Sequence, residues 1–297
     1  MPSCFKGDRV TENTMADRHL IVFGVGYTGA ALLRDAARIG LRATGVSRSP
    51  DGATIAFDGA ATLIAEATHL VATAAPAEDG DPVLARYAAA IAASPTLRWL
   101  GYMSTTGVYG DRGGAWVDEA TSPAPGSDRA RRRVAAEERW REIAAGRALD
   151  LFRLAGIYGT GRSALDDLRE GRARRVRKPG HMFGRIHRED IVQAVLAAVR
   201  QDLPPGVRVL NLSDNEPAES ADVIAEAARL LGQPPPPALP FDQAAAGMSP
   251  MARSFWDEDR KVSSRATQAA LGIAWRYPSY REGLAAILAE QGQQGVP

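Results

Sequence analysis

Short apolar runs alternate with helical patterns through most of this chain. Residues 20–24 form the first run, of strand length and without alternation, as a buried strand requires. Ala30, Ala31, Leu32, Leu33, Ala36, Ala37 and Ile39 then fall at helical spacing, and Gly40 ends that helix. Residues 41–47 read as a second strand, 54–57 as a short third and 68–73 as a fourth. Asp81 and Pro82 start a helix with Val83, Leu84, Tyr87 and Ile91 on one face. Residues 96–103 read as strand, 127–145 as a charged helix and 150–155 as the last strong strand of this half. Beyond it come a short helix at 163–171, an apolar helix at 191–199, a strand at 207–212 and an amphipathic helix at 217–231 stopped by Gly232. The prolines at 234–237 read as a stiff linker or loop, and helical patterns follow at 263–271 and 279–290. Strands alternating with helices in this order predict an α/β protein with a parallel sheet covered on both faces.

The first strand and first helix are joined by Gly24, Gly26 and Gly29, spaced G-x-G-x-x-G. Strand, glycine turn and helix in that order are what a dinucleotide site needs. Gly24 permits the tight turn, Gly26 lets backbone approach a pyrophosphate, and Gly29 lets helix and strand pack closely. The helix start then offers N–H groups and a positive dipole end to phosphates, with Tyr27 and Thr28 among the contacts. An acidic residue at the end of the second strand would accept from a ribose 2′-hydroxyl and repel a 2′-phosphate. This chain has Ser47, Arg48 and Ser49 there, which favours NADP, with NAD as second choice. Hydroxyls gather again at 104–106, at the carboxyl end of another strand, where ligands of such sheets bind. Arg169, Arg172, Arg174, Arg175, Arg177 and Lys178 make a dense basic run. It reads either as a solvated surface or, if it faces the site, as an attractor for phosphate on a substrate.

Composition adds limits. The chain has 297 residues, enough for one large α/β domain or two small ones, and a net charge of +1. That charge gives no argument for nucleic acid or a membrane as a partner, so a small-molecule partner is expected. No apolar run approaches the ~20 residues of a membrane span. A single cysteine, Cys4, allows no intrachain disulfide and no cysteine metal cluster, so no metal site is expected and a reducing, cytoplasmic setting fits. Residues 1–17 are polar and unpatterned and read as a disordered lead-in, with Met15 as an alternative start and Cys4 as a solvated tail thiol.

Taken together and in order, the motifs resemble the extended and atypical branch of the short-chain dehydrogenase/reductase family, the NAD(P)-dependent epimerases and dehydratases. After the glycine turn come Ser104-Thr-Thr-Gly-Val-Tyr-Gly110, Asp118-Glu119 with Pro123, Arg153-Leu-Ala-Gly-Ile-Tyr-Gly159, Ile186-His-Arg-Glu-Asp-Ile191, Asn211-Leu-Ser-Asp-Asn-Glu-Pro217 and Tyr277-Pro-Ser-Tyr-Arg-Glu-Gly283. The resemblance spans roughly residues 18–290. It implies a Rossmann-type doubly wound sheet over 18–155 that regains a helix and strand at about 186–215. It also implies a smaller substrate-binding part made of 156–185 and 216–297. By the same resemblance Ser104 or Thr105 stands where the family's catalytic hydroxyl stands, Asp58 at a position that contacts adenine, and Ala74 at a wall beside the cofactor. A homodimer through helices like 85–92 and 131–145 is a family-level expectation.

The family's reaction centre is a Tyr and a Lys four residues later on one helix. A free phenol has a pKa near ~10, and a nearby ammonium lowers it so that the phenol can exchange a proton with substrate. Here Arg129 stands at the Tyr position and Arg133 at the Lys position, with Glu137 a further four residues on. Arg133 remains suited to ribose hydroxyls, while Arg129 stays charged and cannot shuttle a proton. Tyr109 is the first substitute phenol, Tyr158 another, and His187, Asp118 and Glu119 are lesser candidates. In the charged helix, i,i+4 pairs such as Arg133–Glu137 are expected.

Two readings follow. One is an NADP-dependent oxidoreductase or epimerase-like enzyme with altered proton-transfer groups, acting on a small hydroxyl or carbonyl compound, including a phosphorylated or nucleotide-linked sugar. The other is an NADP(H)-binding sensor or regulatory protein that has lost turnover. Nucleic-acid binding through the arginine-rich helix is weak, because Glu137, Glu138 and Glu142 dilute its charge.

Overall fold

Strand β1 (His19–Phe23) is apolar after its first residue and buried along its whole length. A strand flanked on both sides and covered on both faces has no solvent side, which is why the run does not alternate. It pairs in parallel with β2 (Arg42–Ser47) and with β4 (His69–Ala72). β3 (Ile55–Ala56) extends the sheet beyond β2. On the other side follow β5 (Trp99–Thr105), β6 (Ala148–Leu154) and β7 (Gly206–Leu212). The order β7-β6-β5-β4-β1-β2-β3, with every pair parallel, is a doubly wound Rossmann-type sheet. The computed structural model describes residues 15–294. The expected lead-in and Cys4 therefore lie outside the described residues, apart from Met15–Asp17, which form one 3-10 turn.

Helix α1 (Tyr27–Arg38) follows β1, and α2 (Ala61–Glu66) precedes β4. α3 (Pro82–Ala93) starts where the sequence predicts, because Asp81 accepts from the N–H groups of Val83 and Leu84 at 2.9 and 3.0 Å. α4 (Asp128–Ile143) is capped by Ser127. α5 (Ala164–Arg169) is short, and α6 (Arg188–Arg200) buries an apolar face. One face of the sheet packs Leu32 and Ala36 of α1 with Val195 and Val199 of α6. The other packs Ile64, Val83, Tyr87 and Trp140 from α2, α3 and α4.

The remaining chain forms a cover over the carboxyl ends of the strands. Its strand pairs are short and parallel: Gly156–Tyr158 with Arg185–His187, Val176–Arg177 with Leu239–Pro240, and Trp116–Val117 with Lys261–Val262. Its helices are α7 (Ser220–Leu230), α8 (Phe241–Ala245), α9 (Pro250–Ser254), α10 (Arg265–Leu271) and α11 (Tyr280–Gln294). Leu165, Ala227, Tyr280, Leu284 and Ile287 make a separate small core there. No described helix is long and apolar enough to cross a membrane.

Candidate active site

The strand order reverses between β1 and β4, so the loops leaving their carboxyl ends part and open a crevice. A cavity of about 540 Å³ lies there. Its sheet side is formed by the glycine turn, Thr73 and Ala75 after β4, residues 103–107 at the end of β5 and residues 154–157 after β6. The start of α4 adds Ser127, Arg129, Ala130 and Arg133. The cover adds Arg162, Phe183, Ser254, Phe255, Glu258 and Arg260, among others.

The glycine turn has the geometry its spacing predicts. Gly24 sits at φ +98°, in the left-handed region, and Thr73 Oγ1 bonds its carbonyl at 2.8 Å. A Cβ on Gly29 would lie 2.0 Å from the Gly24 carbonyl oxygen, so only glycine allows this approach of helix and turn. A Cβ on Gly26 would meet no atom within 4 Å, so open space lies above the turn. Gly26 is also the N-cap of α1 and has no side chain to cap it. The N–H groups of Tyr27, Thr28 and Gly29 lack intrahelical acceptors and belong to residues that line the cavity. Uncapped amides, a positive helix end and open space together fit the pyrophosphate of a dinucleotide.

Four guanidinium groups and one carboxylate, Glu258, line the cavity. Arg133 Nη1 donates to the Met103 carbonyl at 2.5 Å and to the Tyr102 hydroxyl at 3.0 Å. Arg129 lies over the Phe255 ring at 4.5 Å. Arg162 lies near the Tyr27 ring, at 5.8 Å. Arg260 Nη1 donates to the Gly110 carbonyl at 2.8 Å and to Glu258 at 2.7 Å. The expected Arg133–Glu137 pair does not form. Glu137 is buried and taken by Arg153, which donates to both of its oxygens at 3.1 and 2.7 Å.

That ion pair decides the fate of two candidate catalytic groups. Ser104 Oγ donates to Glu137 at 2.5 Å, so Ser104 presents only acceptor capacity to the cavity it lines. Tyr109 is drawn away from the cavity. Its ring lies under the Arg153 guanidinium at 4.8 Å and its hydroxyl donates to Asn211 Oδ1 at 2.7 Å. Burial pushes the Tyr109 phenol up from its usual range, against the nearby Arg153 charge, and Tyr109 is not among the residues lining the cavity. Thr105 lines the cavity, and its Oγ1 accepts from the Gly107 N–H at 3.1 Å. Among the described residues the Thr105 hydroxyl proton meets no acceptor.

The lesser acid–base candidates are occupied elsewhere. His187 caps α6 by accepting from the Glu189 N–H at 3.2 Å, and burial lowers its pKa to about 4. Tyr158 donates to the Ser279 carbonyl at 3.3 Å. Asp118 closes its own turn by accepting from Ala120 and Thr121. Glu119 holds Thr267, accepting from its hydroxyl at 2.6 Å. The basic run also stays outside the cavity lining. Arg172 pairs with Asp167 and Glu170, Arg177 with Asp222, and Lys178 donates to the Trp256 carbonyl at 2.5 Å. A phosphate-attracting role at this cavity is therefore not theirs.

The adenosine-side candidates lie beyond the cavity. Ser47 turns its hydroxyl into the loop, 3.2 Å from the Ser49 carbonyl. Arg48 is exposed and makes no ion pair among the described residues. Asp58 is exposed, 3.8 Å from Arg86. Ala74 backs the glycine turn, its N–H nitrogen 3.4 Å from a Cβ built on Gly24. Sequence reasoning missed Arg162, Phe255, Glu258 and Arg260. The signal for the last three was Phe255-Trp-Asp-Glu-Asp-Arg260, where aromatic and charged residues crowd an aperiodic stretch.

Known proteins agree with this architecture. No protein-family model matches the chain. A conserved protein of unknown function from Silicibacter pomeroyi is 44% identical, with a TM-score of 0.84 over 92% of this chain and 99% of that one. The human epimerase family protein SDR39U1, solved with NADPH, is 22% identical with a TM-score of 0.74 over 91% of this chain and 99% of that one. MoeE5, solved with UDP-glucuronic acid and NAD, is 19% identical with a TM-score of 0.74 over 93% of this chain and 99% of that one. In sequence, a 3-diazoavenalumate denitrifying reductase from a Streptomyces species is 31% identical over 104 residues, covering 33% of this chain and 32% of the reductase. The chain thus spans about a third of that curated relative. The fold is that of the atypical short-chain dehydrogenase/reductases of the epimerase/dehydratase type. Within that fold, the chain belongs to one family with the Silicibacter pomeroyi protein.

Proposed function

We propose that the chain binds NADP(H) and acts as an oxidoreductase or epimerase-like enzyme on a small hydroxyl or carbonyl compound. The observation that carries this reading is the uncapped start of α1 beside an open cavity at the switch point of the sheet. A bound nicotinamide dinucleotide would supply hydride transfer. The N–H groups of Tyr27, Thr28 and Gly29 hold the pyrophosphate, with Gly26 leaving room for it. Gly24 and Ala74 form the wall behind it. Ser47 and Arg48 hold the ribose 2′-phosphate, Asp58 meets adenine and Arg133 holds ribose hydroxyls. At the reacting oxygen, Thr105 donates a hydrogen bond and Ser104 accepts one. Neighbours solved with NAD and with NADPH support a nicotinamide cofactor, and a reductase among the relatives supports redox chemistry.

A second reading has its own support. The titratable side chains lining the cavity are Tyr27, four arginines and Glu258. Tyr27 donates to the Thr160 carbonyl at 3.1 Å, and burial raises its pKa. A site so short of proton-transfer groups near neutral pH suits a sensor of the NADP redox state that no longer turns over. Calorimetric titration with NADPH and NADH, on wild type and Arg48→Asp, tests the shared premise. NADPH is expected to bind at least tenfold more tightly to wild type, and Arg48→Asp to reverse the order. Absence of binding by both nucleotides at millimolar concentration overturns both readings.

A further inference from the structure

The four cavity arginines do not face the same thing. Arg162 sits against Tyr27 at the glycine turn, and Arg133 is tied to the end of β5. On the reading above, both serve the nucleotide. Arg129 and Arg260 remain, on the α4 and cover side. Arg129 is exposed and forms no ion pair among the described residues. Its stacking on Phe255 orients the guanidinium plane and leaves the N–H edge available. Arg260 commits Nη1 to Gly110 and Glu258. Its Nη2 lies 3.9 Å from a Cβ built on Gly107, and Thr105 Oγ1 lies 3.4 Å from the same point. Arg260 Nη2 and Thr105 Oγ1 therefore flank one spot at the end of β5. A neutral ligand closing over Arg129 would desolvate it without an anionic partner, which is costly, while Arg260, paired to Glu258 through Nη1, still offers Nη2. An oxyanion would pair with them through charge-assisted hydrogen bonds. The cavity of about 540 Å³ must also hold the reactive half of a dinucleotide, so the second ligand is small.

We propose that Arg129 and Arg260 form an oxyanion subsite and that the substrate is a small acid, a carboxylate or a phosphate monoester, seated with its reacting oxygen at Thr105. This rests on the nucleotide reading for the other side of the cavity. The site follows from two residues 131 positions apart, one on α4 and one in the cover, not from the basic run at 169–178.

The test is calorimetric titration of NADPH-saturated protein with inorganic phosphate and with acetate, at constant ionic strength. Wild type should bind at least one of the two saturably at millimolar concentration. Arg129→Gln and Arg260→Gln should each weaken that binding about tenfold or more, with NADPH affinity kept within about twofold. Arg141→Gln, an exposed change on α4 outside the cavity lining, should leave it unchanged. Arg260→Lys guards against loss of the Gly110 brace, and should fold while still weakening the anion. Binding of phosphate alone, acetate alone or both supports the subsite and names the oxyanion. No saturable binding, or binding unchanged in the Arg129 and Arg260 variants, overturns it. If NADPH itself fails to bind, the nucleotide reading falls, and the same anion titrations on nucleotide-free protein score the subsite alone.

Discussion

The sheet and the cover solve the problem of holding a shape in different ways. The sheet is a parallel ladder of buried strands, and its two faces are apolar clusters supplied by α1 and α6 on one side and α2, α3 and α4 on the other. The cover has strand pairs of two or three residues and a few small apolar clusters. Polar ties hold it down: Asp111 accepts from the Asp259 N–H at 2.9 Å, and Glu119 accepts from the Thr267 N–H at 3.2 Å. Of the cavity lining, the glycine turn, Thr105 and Arg129 belong to the first kind of structure, and Phe255, Glu258 and Arg260 to the second. A chain built this way can exchange one substrate for another by altering the cover, while the glycine turn stays where the sheet puts it.

The largest expected effect lies where a buried charge pair joins β6 to α4. Glu137→Ala leaves Arg153 buried without a partner and should lower stability by about 3–5 kcal/mol in urea unfolding. A loss below ~1 kcal/mol would mean that the sheet half does not depend on this pair. An intermediate effect is expected just past β7, where sheet meets cover. Both oxygens of the Asp214 carboxyl are buried, and burial pushes its pKa up to about 8 against the nearby Arg185 charge. The folded protein keeps a proton that the unfolded chain, with an Asp pKa near ~3.9, has already released. Stability therefore falls as pH rises from about 4 to about 8, by at most ~1.4 kcal/mol per pH unit from this group. Unfolding of Asp214→Asn across that range should lack this part of the slope, and an unchanged slope would refute the assignment. The smallest effect belongs to the cover's edge. Phe255→Ala removes the ring under Arg129 and should cost under ~1 kcal/mol in thermal unfolding, because the stack is solvent-exposed. A larger loss would show that the cover is less separable from the sheet than the contrast above holds.

The legible parts of the chain were those marked by a local pattern. The strands at 19–23 and 99–105 and the helices capped by Asp81 and Ser127 announce themselves through apolar runs and capping residues within a few positions. The glycine turn was legible for the same reason, since Gly24, Gly26 and Gly29 act on one another locally. The placing of Tyr109 was not legible, because its partner, Asn211, is 102 residues away. Glu137 likewise turned from its helical neighbour Arg133 to Arg153 on β6, a choice no local spacing encodes. Arg260 and Glu258 were missed because a two-residue strand pair, not an amphipathic pattern, brings them to the cavity, and their only signal was the crowding of aromatic and charged residues at 255–260.

That pair, Trp116–Val117 with Lys261–Val262, also sets an order of events. Its two halves leave the ribosome far apart in time, and every strand of the sheet is made before the second half emerges. Contacts so distant along the chain close slowly, because the entropy of the intervening loop must be overcome first. The sheet can therefore form its ladder, with Thr105 and Arg129 in place, before Glu258 and Arg260 reach the cavity. Arg260 thus joins a cavity wall whose sheet side is already in place.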